Sequence, residues 1–549
     1  MVETKDILEY FPYEELGAKS IRKEQKSILR AMQKSNARFL IVDAPTGVGK
    51  SSIAVTYSRW YSDNFDTPNQ DIKSGSHILT IQKLLQNQYM EDFGPKKGKS
   101  REGAVRNLMS KSNYACEYVD GNCLDGQATR EACRDKDSNP CKGDSCTYVR
   151  AKIAHSNAAV SLTNFDYFIT DTQLNPFSVL PKKQVLILDE AHETENKLMG
   201  FNSIDFNGRS VYAVCGIHMP KRFENADEVL VWCDEHYLGA LSSAIERQNN
   251  TVEILKNQGE EGKELKIAID IQRSMNSRRE AIKMFMENYD SENYVMCTRD
   301  EKEAYPTYTI KPIFVKEDGE KILFPYGHDK VVLMSATILD PEQLCENLGI
   351  PIDQAEYIGV GCPFPKENRE IHFMPIGKMT YKEIDKTLPK IVDAVKDILD
   401  HYKDKKGIIH TSSYKITKAI VEGVNSPRIK SHTSEDRMQV LYEHETTTEP
   451  SVLISPSMME GVNLKGDLSR FQIITKIPYL SLADEQVKAR LNIDQRWYQW
   501  KTCMALIQSF GRSIRNSSDY ADTYVLDADF KNFYRRCKGI FPEWINIIW

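Results

Sequence analysis

The run Ala44–Pro45–Thr46–Gly47–Val48–Gly49–Lys50–Ser51 sets two glycines, a lysine and a hydroxyl at the spacing of a loop that wraps a chain of phosphates. Its glycines let backbone amides turn toward phosphate oxygens, Lys50 is placed to neutralise β/γ-phosphate charge, and the Ser51 hydroxyl to hold Mg²⁺. A strict pattern would open on glycine, where this chain has Ala44. Far downstream, Asp189–Glu190–Ala191–His192 ends an apolar run. Asp189 suits Mg²⁺ through its hydration shell, Glu190 is the candidate base for an attacking water, and His192 could relay to neighbouring structure. A third group, Gln508–Ser509–Phe510–Gly511–Arg512–Ser513–Ile514–Arg515, brings two guanidiniums three residues apart. On a helix they would share a face and suit contact with transferring phosphates, Arg515 as the finger and Arg512 on phosphate or nearby acids. Together these residues predict phosphoanhydride hydrolysis of ATP in a site that needs parts from distant stretches of chain.

Cysteine supplies a second chemistry. Of twelve cysteines, Cys116, Cys123, Cys133, Cys141 and Cys146 crowd into one short segment. In a large chain of this kind the cluster reads as metal or iron–sulfur ligation sooner than as disulfides. A four-thiolate [4Fe–4S] cluster would staple a polar insertion that lacks a core of its own, with structural zinc as the alternative. Lys96, Lys97, Lys99, Arg101, Arg106 and Lys111 lead into this segment, either as a phosphate-attracting surface or as a merely solvated one. Tyr114, Tyr118 and Tyr148 are placed either to stack on bases or to pack the module.

The elements that position these groups follow from pattern. Arg38–Asp43 predicts a strand feeding the glycine turn and a helix from Lys50; His77–Ile81 a strand before a helix near Gln82–Asp92; Val185–Leu188 a strand ending at Asp189. The pattern resumes at Val331–Leu333, and Gly407–His410, Val452–Ser455, Phe471–Thr475 and Tyr524–Asp527 predict a second sheet. Between them, about Phe201 to Phe324 reads as mostly helical, with Tyr237–Glu246 and Leu265–Met286 carrying apolar residues three and four apart. Trp497, Tyr498 and Trp500 form an aromatic group for core or channel packing. At 549 residues, 41% hydrophobic and 27% charged, the chain is too long for one core and too apolar for disorder. A net charge of −6 neither advertises nor excludes a nucleic-acid partner, since positive potential can be confined to a channel. No run approaches the ~18–20 apolar residues of a membrane span, and the opening residues lead to no signal-peptide core. A cytoplasmic location, or a nuclear one in a eukaryote, is expected.

The ordered series of these motifs, from about Ser20 to Asp529, resembles the iron–sulfur helicases of superfamily 2, the XPD/DinG-like group. Arg22 and Gln25 match the adenine-proximal element, Asp43–Ser51 with Ser52 the phosphate loop, Thr80–Gln88 a segment that contacts the nucleic-acid backbone, and Met334–Ile338 a coupling motif. His410–Tyr414 resembles a backbone-binding motif. Glu460–Gly461–Val462–Asn463–Leu464–Lys465–Gly466 resembles the segment linking nucleic acid to ATP, with Asn463 where the family commonly has Asp.

The resemblance implies an α/β fold of two RecA-like motor lobes with two insertions in the first. Residues 1–95, 151–200 and 325–340 would form the first lobe and 341–549 the second. Residues 96–150 would be an iron–sulfur domain and 201–324 a mainly helical arch. It fixes Cys116 and Cys146 as cluster ligands; Cys133 and Cys141 are the preferred middle pair, with Cys123 the alternative. It implies an ATP- and Mg²⁺-dependent DNA helicase moving 5′ to 3′ on single-stranded and forked DNA, nucleoid-associated in a cell without a nucleus and without a membrane partner. The arch would offer docking for repair or replication proteins. Protein-displacing translocation and RNA or hybrid unwinding are the alternative outputs.

Overall fold

The computed structural model describes residues 4–67, 71–96, 103–129, 146–174, 180–258, 262–299, 305–324, 328–456, 464, 466–514 and 519–549. Two parallel sheets dominate. The first runs, in spatial order, Ala355–Gly359, Phe39–Asp43, Lys330–Ser335, Lys182–Asp189, Ile72–Thr80, Val160–Asn164 and Arg106–Asn107. The second runs Ile429–Ser431, Val452–Ser455, Gly407–His410, Phe471–Ile474, Asp522–Asp527, Glu370–Gly377 and Asn546–Ile548. Their central strands are continuous apolar runs buried on both faces, as a parallel sheet clothed by helices requires. Two such sheet-and-helix lobes match a RecA-like architecture.

Strand pairing moves one expected boundary. Ala355–Gly359 pairs in parallel with Phe39–Asp43, so the first sheet continues past residue 340 and the second takes up at Glu370. The 201–324 segment carries the expected helices, Leu238–Asn257 and Lys263–Asn288, packed side by side. It also holds a three-stranded antiparallel sheet, Ile204–Asn207, Thr307–Pro312 and Tyr294–Arg299, that its helical periodicity does not announce. Phe206, Trp232, Tyr237, Leu241 and Ile282 give this insertion a core of its own.

Helix Gln495–Phe510 belongs to neither lobe alone. Asp494 caps it by accepting from Trp497 N, and its side chains are buried almost all round. Trp497, Trp500 and Met504 enter the first lobe's core, while Cys503, Leu506, Ile507 and Phe510 enter the second's. Trp497 and Trp500 are therefore core residues at the lobe boundary. No helix among the described residues is long and apolar enough to cross a membrane.

Behind the first sheet lies a buried basic group: His77, His155, His328 and Lys183. The His77 and His155 rings stack at 5.4 Å, and neither ring nitrogen of His155 meets a hydrogen-bond partner among the described residues. Burial pushes His155 down to about 3 and His328 to about 4, holds His77 well below the usual histidine range, and brings Lys183 to about 7. All four shifts have one sign. For each the unfolded chain takes up a proton before the folded one: the histidines' stability is present above the ordinary histidine value and lost as pH falls through it, while that of Lys183 is lost higher, between the ordinary lysine value and about 7. For His155 alone the loss at pH 5 is on the order of 2 kcal/mol. Urea unfolding at pH 7.5 and pH 5 should show it, and His155→Phe should flatten the difference. An unchanged slope in the variant would remove His155 from the account.

Candidate active site

Three adjacent strands of the first sheet deliver the chemistry to one edge. Phe39–Asp43 ends at the phosphate loop, Lys330–Ser335 at Ala336–Thr337, and Lys182–Asp189 at Glu190. Carboxyl ends of parallel strands are where such sheets place ligands. The loop is pinned at its root by Ala44 N donating to Ser335 O at 2.9 Å. Gly47 and Gly49 both adopt positive φ, 85° and 92°. A Cβ on Gly49 would also lie 2.6 Å from Gln25 Nε2, so the position excludes any side chain. Helix Lys50–Asn64 begins immediately afterward, its N-terminal amides open toward the loop.

Lys50 Nζ stands 3.6 Å from Glu190 Oε1, with 12% and 25% of the two side chains exposed. Glu190 adopts φ 57°, an uncommon backbone for a residue with a Cβ and of the sort that collects at reacting centres. Burial raises its pKa, but Lys50, His192 and Arg512 outweigh burial and hold the carboxyl below its usual value. Asp189 is shifted the other way, first by burial and then by the Glu190 charge. Its Oδ1 accepts from Glu190 N at 3.1 Å and its Oδ2 from the Tyr89 hydroxyl at 2.9 Å. A buried carboxylate and the Ser51 hydroxyl on the wall of the same cleft form a hard-oxygen pair of the kind that suits Mg²⁺.

The second lobe reaches this centre directly. Gln508 Nε2 donates to His192 Nε2 at 2.7 Å and lies 3.3 Å from Thr337 Oγ1. That contact leaves the imidazole proton on Nδ1, which faces Ser335 Oγ at 2.8 Å. His192 thus joins the Asp189–Glu190 strand end, the Ser335–Ala336–Thr337 segment and the second lobe in one hydrogen-bonded chain. A Cβ on Gly511 would lie 3.9 Å from Thr46 Oγ1, which places the following Arg512 against the phosphate loop. Arg512 acts on the charges of both Glu190 and His410. A cleft of about 950 Å³ runs between the lobes, lined by Pro45, Thr46, Gly47, Gly49, Lys50, Ser51 and Ser52 on one side and by Gln508, Gly511 and Arg512 on the other.

The helix bearing Gln508 stops sooner than the arginine spacing suggests. It ends at Phe510, with Gly511 as its cap, so Arg512 follows outside the helix. Arg515 lies outside the described residues, as do Glu460, Gly461 and Asn463. At the other end of the cleft Arg22 bonds to Gly47 O, and Gln25 donates to Ser52 Oγ at 3.0 Å, which in turn donates to Gly49 O. Three contributors have no signal in their spacing: Phe364, Arg369 and Trp544 also line the cleft, with the Arg369 guanidinium 4.5 Å over the Trp544 ring. Tyr89 did carry one. It shares a buried stripe with Gln86 and Phe93, and a buried phenol needs a polar partner.

In the cysteine segment, Cys116, Cys123 and Cys146 are described, while Cys133 and Cys141 lie outside the described residues, with Lys97, Lys99 and Arg101. A short hairpin places Cys123 N on Tyr114 O at 2.8 Å and Cys116 N on Gly121 O at 3.0 Å. Thr147, next to Cys146, donates to Ala115 O at 2.9 Å. No group of three or more metal-binding side chains is assembled among the described residues. Tyr114 and Tyr148 meet edge to face at 5.4 Å and pack into the first lobe's core, whereas Tyr118 is exposed. Lys266 of the helical insertion forms an ion pair with Asp125 at 3.0 Å, so the two insertions touch.

Known proteins share this arrangement. A DEAD_2 family model matches residues 96–211 and a helicase C-terminal domain model residues 396–547. A probable ATP-dependent helicase of Methanocaldococcus jannaschii is 22% identical over 96% of this chain and 94% of its own. The ATP-dependent DNA helicase CHL1 of Candida albicans is 26% identical over 37% of this chain and 26% of its own. Among solved structures, an apo XPD matches 96% of this chain and all of its own at TM-score 0.61 and 13% identity. Xpd4 of S. tokodaii matches 98% of this chain and all of its own at TM-score 0.54 and 12% identity. The chain carries superfamily 2 helicase domains similar to those of XPD/DinG-like and related helicases, and with them the general activity of an ATP-dependent nucleic-acid helicase or translocase.

Proposed function

We propose that this protein is an ATP-driven helicase that moves 5′ to 3′ along single-stranded DNA and opens the duplex ahead of it. The observation that carries the reading is the meeting of Gln508 and Arg512 with His192, Glu190 and Thr46 across the lobe boundary. Lys50 and the loop amides hold the β/γ-phosphates, Ser51 and Asp189 hold Mg²⁺, and Glu190 takes the proton of the attacking water. Arg512, with Arg515, neutralises charge on the transferring phosphoryl group. Arg22 and Gln25 face the adenine side, and Glu460, Gly461 and Asn463 extend the nucleotide contacts from the second lobe. Since both lobes contribute, nucleotide binding favours closure and release favours opening. DNA as the substrate is supported by the likeness to XPD and CHL1, and the direction by the family resemblance.

Residues 96–150 would form the iron–sulfur domain and 201–324 the arch, with repair or replication proteins docking on the latter. A motor on chromosomal DNA would work at the nucleoid or in the nucleus. Soft thiolates fit a [4Fe–4S] cluster, which would supply a rigid staple beside the DNA path. Cys116 and Cys123 lie on the two arms of one hairpin, to which Thr147, next to Cys146, is bonded; Cys116 and Cys146 with Cys133 and Cys141, or with Cys123 in place of one of these, would be the ligands.

The test uses anaerobically purified protein on 5′-tailed and 3′-tailed DNA duplexes, with matched RNA and hybrid substrates and a protein-blocked strand. DNA-stimulated ATPase with unwinding from the 5′ tail is the expected result. Stimulation by RNA alone, or protein displacement without unwinding, would replace the helicase reading with one of those outputs. Iron and sulfide near four per chain are expected of the [4Fe–4S] form.

A further inference from the structure

Tyr89 is almost completely buried, yet it ends in a hydroxyl that touches the reacting centre. Its phenol donates to Asp189 Oδ2 at 2.9 Å, and the Ser51 side chain lies near enough to act on it. Those are the two residues placed to hold Mg²⁺. The other Asp189 oxygen is fixed by Glu190 N, so both oxygens of the carboxylate are oriented from outside the cleft.

The helix that carries Tyr89, Lys83–Phe93, has a second attachment. Gln86 Nε2 donates to Asn107 Oδ1 at 3.0 Å, and Lys83 Nζ to Asn113 Oδ1 at 2.9 Å. Asn113 immediately precedes the Tyr114–Cys116 hairpin, and Asn107 sits on the edge strand leading to it. Six residues of helix, about 9 Å, separate Lys83 from Tyr89. One rigid element therefore runs from the foot of the cysteine segment to the Mg²⁺-side carboxylate. A phenol that needed only a partner for burial would be satisfied by any nearby acceptor. This one bonds the Asp189 carboxylate with the Ser51 side chain beside it.

We propose that Tyr89 is a positioning residue that sets Asp189 and Ser51 for Mg²⁺–nucleotide, and that helix Lys83–Phe93 couples this setting to a strand lying against the cysteine segment. The inference rests on the proposed motor reading only for its second half. Nucleic-acid contact at the helix start shifts or stiffens the helix, and the Tyr89 hydroxyl passes that change to the carboxylate without entering the cleft itself.

Tyr89→Phe keeps the ring and removes the hydroxyl, so the full-length chain should fold as before. Binding of a fluorescent ADP analogue, titrated with Mg²⁺, should show the half-saturating Mg²⁺ raised about 10-fold, the loss expected for a hydrogen bond to a charged group. Nucleotide affinity without Mg²⁺ should be little changed. In steady-state ATPase the Mg²⁺ requirement should rise more than kcat at saturating Mg²⁺ falls, and stimulation by single-stranded DNA should drop several-fold. Gln86→Leu, which loosens the far attachment, should lower the stimulation while leaving the Mg²⁺ titration in place. An unaltered Mg²⁺ titration in Tyr89→Phe overturns the positioning role. A Gln86→Leu protein stimulated like the parent overturns the coupling. Should the parent show no nucleic-acid-stimulated ATPase, the motor reading and the coupling fall together, and the Mg²⁺ titration of nucleotide binding still decides the role of Tyr89.

Discussion

Glu190→Gln should lower the rate of ATP hydrolysis about 10³-fold while nucleotide still binds. The substitution keeps side-chain size and hydrogen-bonding capacity but removes the carboxylate proposed to take the proton of the attacking water. The backbone at φ 57° is a reason to choose glutamine, which preserves the local shape, over a bulkier or branched residue. Charge gives the prediction a second part. Lys50 lies 3.6 Å from Glu190, so part of its charge is already answered there. With glutamine at 190 that answer is gone, and Lys50 meets the phosphates uncompensated. Affinity for ATP should therefore hold or rise as turnover collapses. Single-turnover hydrolysis and equilibrium binding of a fluorescent ATP analogue separate the two. Hydrolysis within about tenfold of the parent, at full nucleotide occupancy, would take the general-base role away from Glu190.

The parts of this site that can be read along the chain are those whose geometry is local. The phosphate loop needs only a strand, two permissive glycines and a helix start, all within Phe39–Asn64, and each declares itself by residue type. The central strands likewise appear as apolar runs, and their carboxyl ends fall where Lys50, Ser335 and Asp189 need them. What fails is pairing across distance. Ala355–Gly359 is short and half-exposed, and only its partner Phe39–Asp43 makes it a strand. Tyr294–Arg299 and Thr307–Pro312 sit beside long helical patterns that dominate the reading of their neighbourhood. The arginine segment shows the opposite error. Gly511 is a helix-stop signal of the usual kind, and reading a helix through it put Arg512 and Arg515 on one face. Arg369 and Trp544 meet each other from more than a hundred positions apart, for which spacing carries no sign.

Helix Gln495–Phe510 illustrates how such distant contacts shape function. A helix buried nearly all round must be covered on every side, and here two lobes supply the cover. In its last turn Gln508 meets His192. One element embedded in both lobes thus touches the phosphate centre. The neighbouring helix Glu485–Ile493 also holds the insertion: Asp484, its cap, pairs with Lys311 at 2.7 Å, and Arg490 donates to Ile313 O at 3.3 Å. The helical insertion is thus attached to the second lobe as well as to the first.

Glu195→Ala should be the most destabilising single change at this junction, at about 3–5 kcal/mol. Glu195 is 2% exposed and follows directly from the Asp189–His192 segment on helix Thr194–Phe201. Its carboxylate accepts from Trp497 Nε1 at 3.0 and 3.1 Å, pairs with Lys501 Nζ at 2.8 Å and lies 3.9 Å from Arg490 Nη2. Alanine leaves two buried cations and an indole N–H without this acceptor. Arg490 keeps Asn347 and Asp494, and its guanidinium still lies 3.8 Å over the Phe314 ring, so the larger penalty falls on Lys501. Glu195→Gln restores an acceptor for Trp497 and removes only the charge, so it should recover part of the loss. Urea unfolding of the three proteins gives the order, and coincident curves would show that the junction is held by Trp497 and Trp500 packing alone. The activity should follow stability in a particular way. Loosening this end of the helix lets Gln508 drift from His192, so nucleic-acid stimulation of ATPase should fall further than unstimulated hydrolysis, which depends less on the coupling of the two lobes.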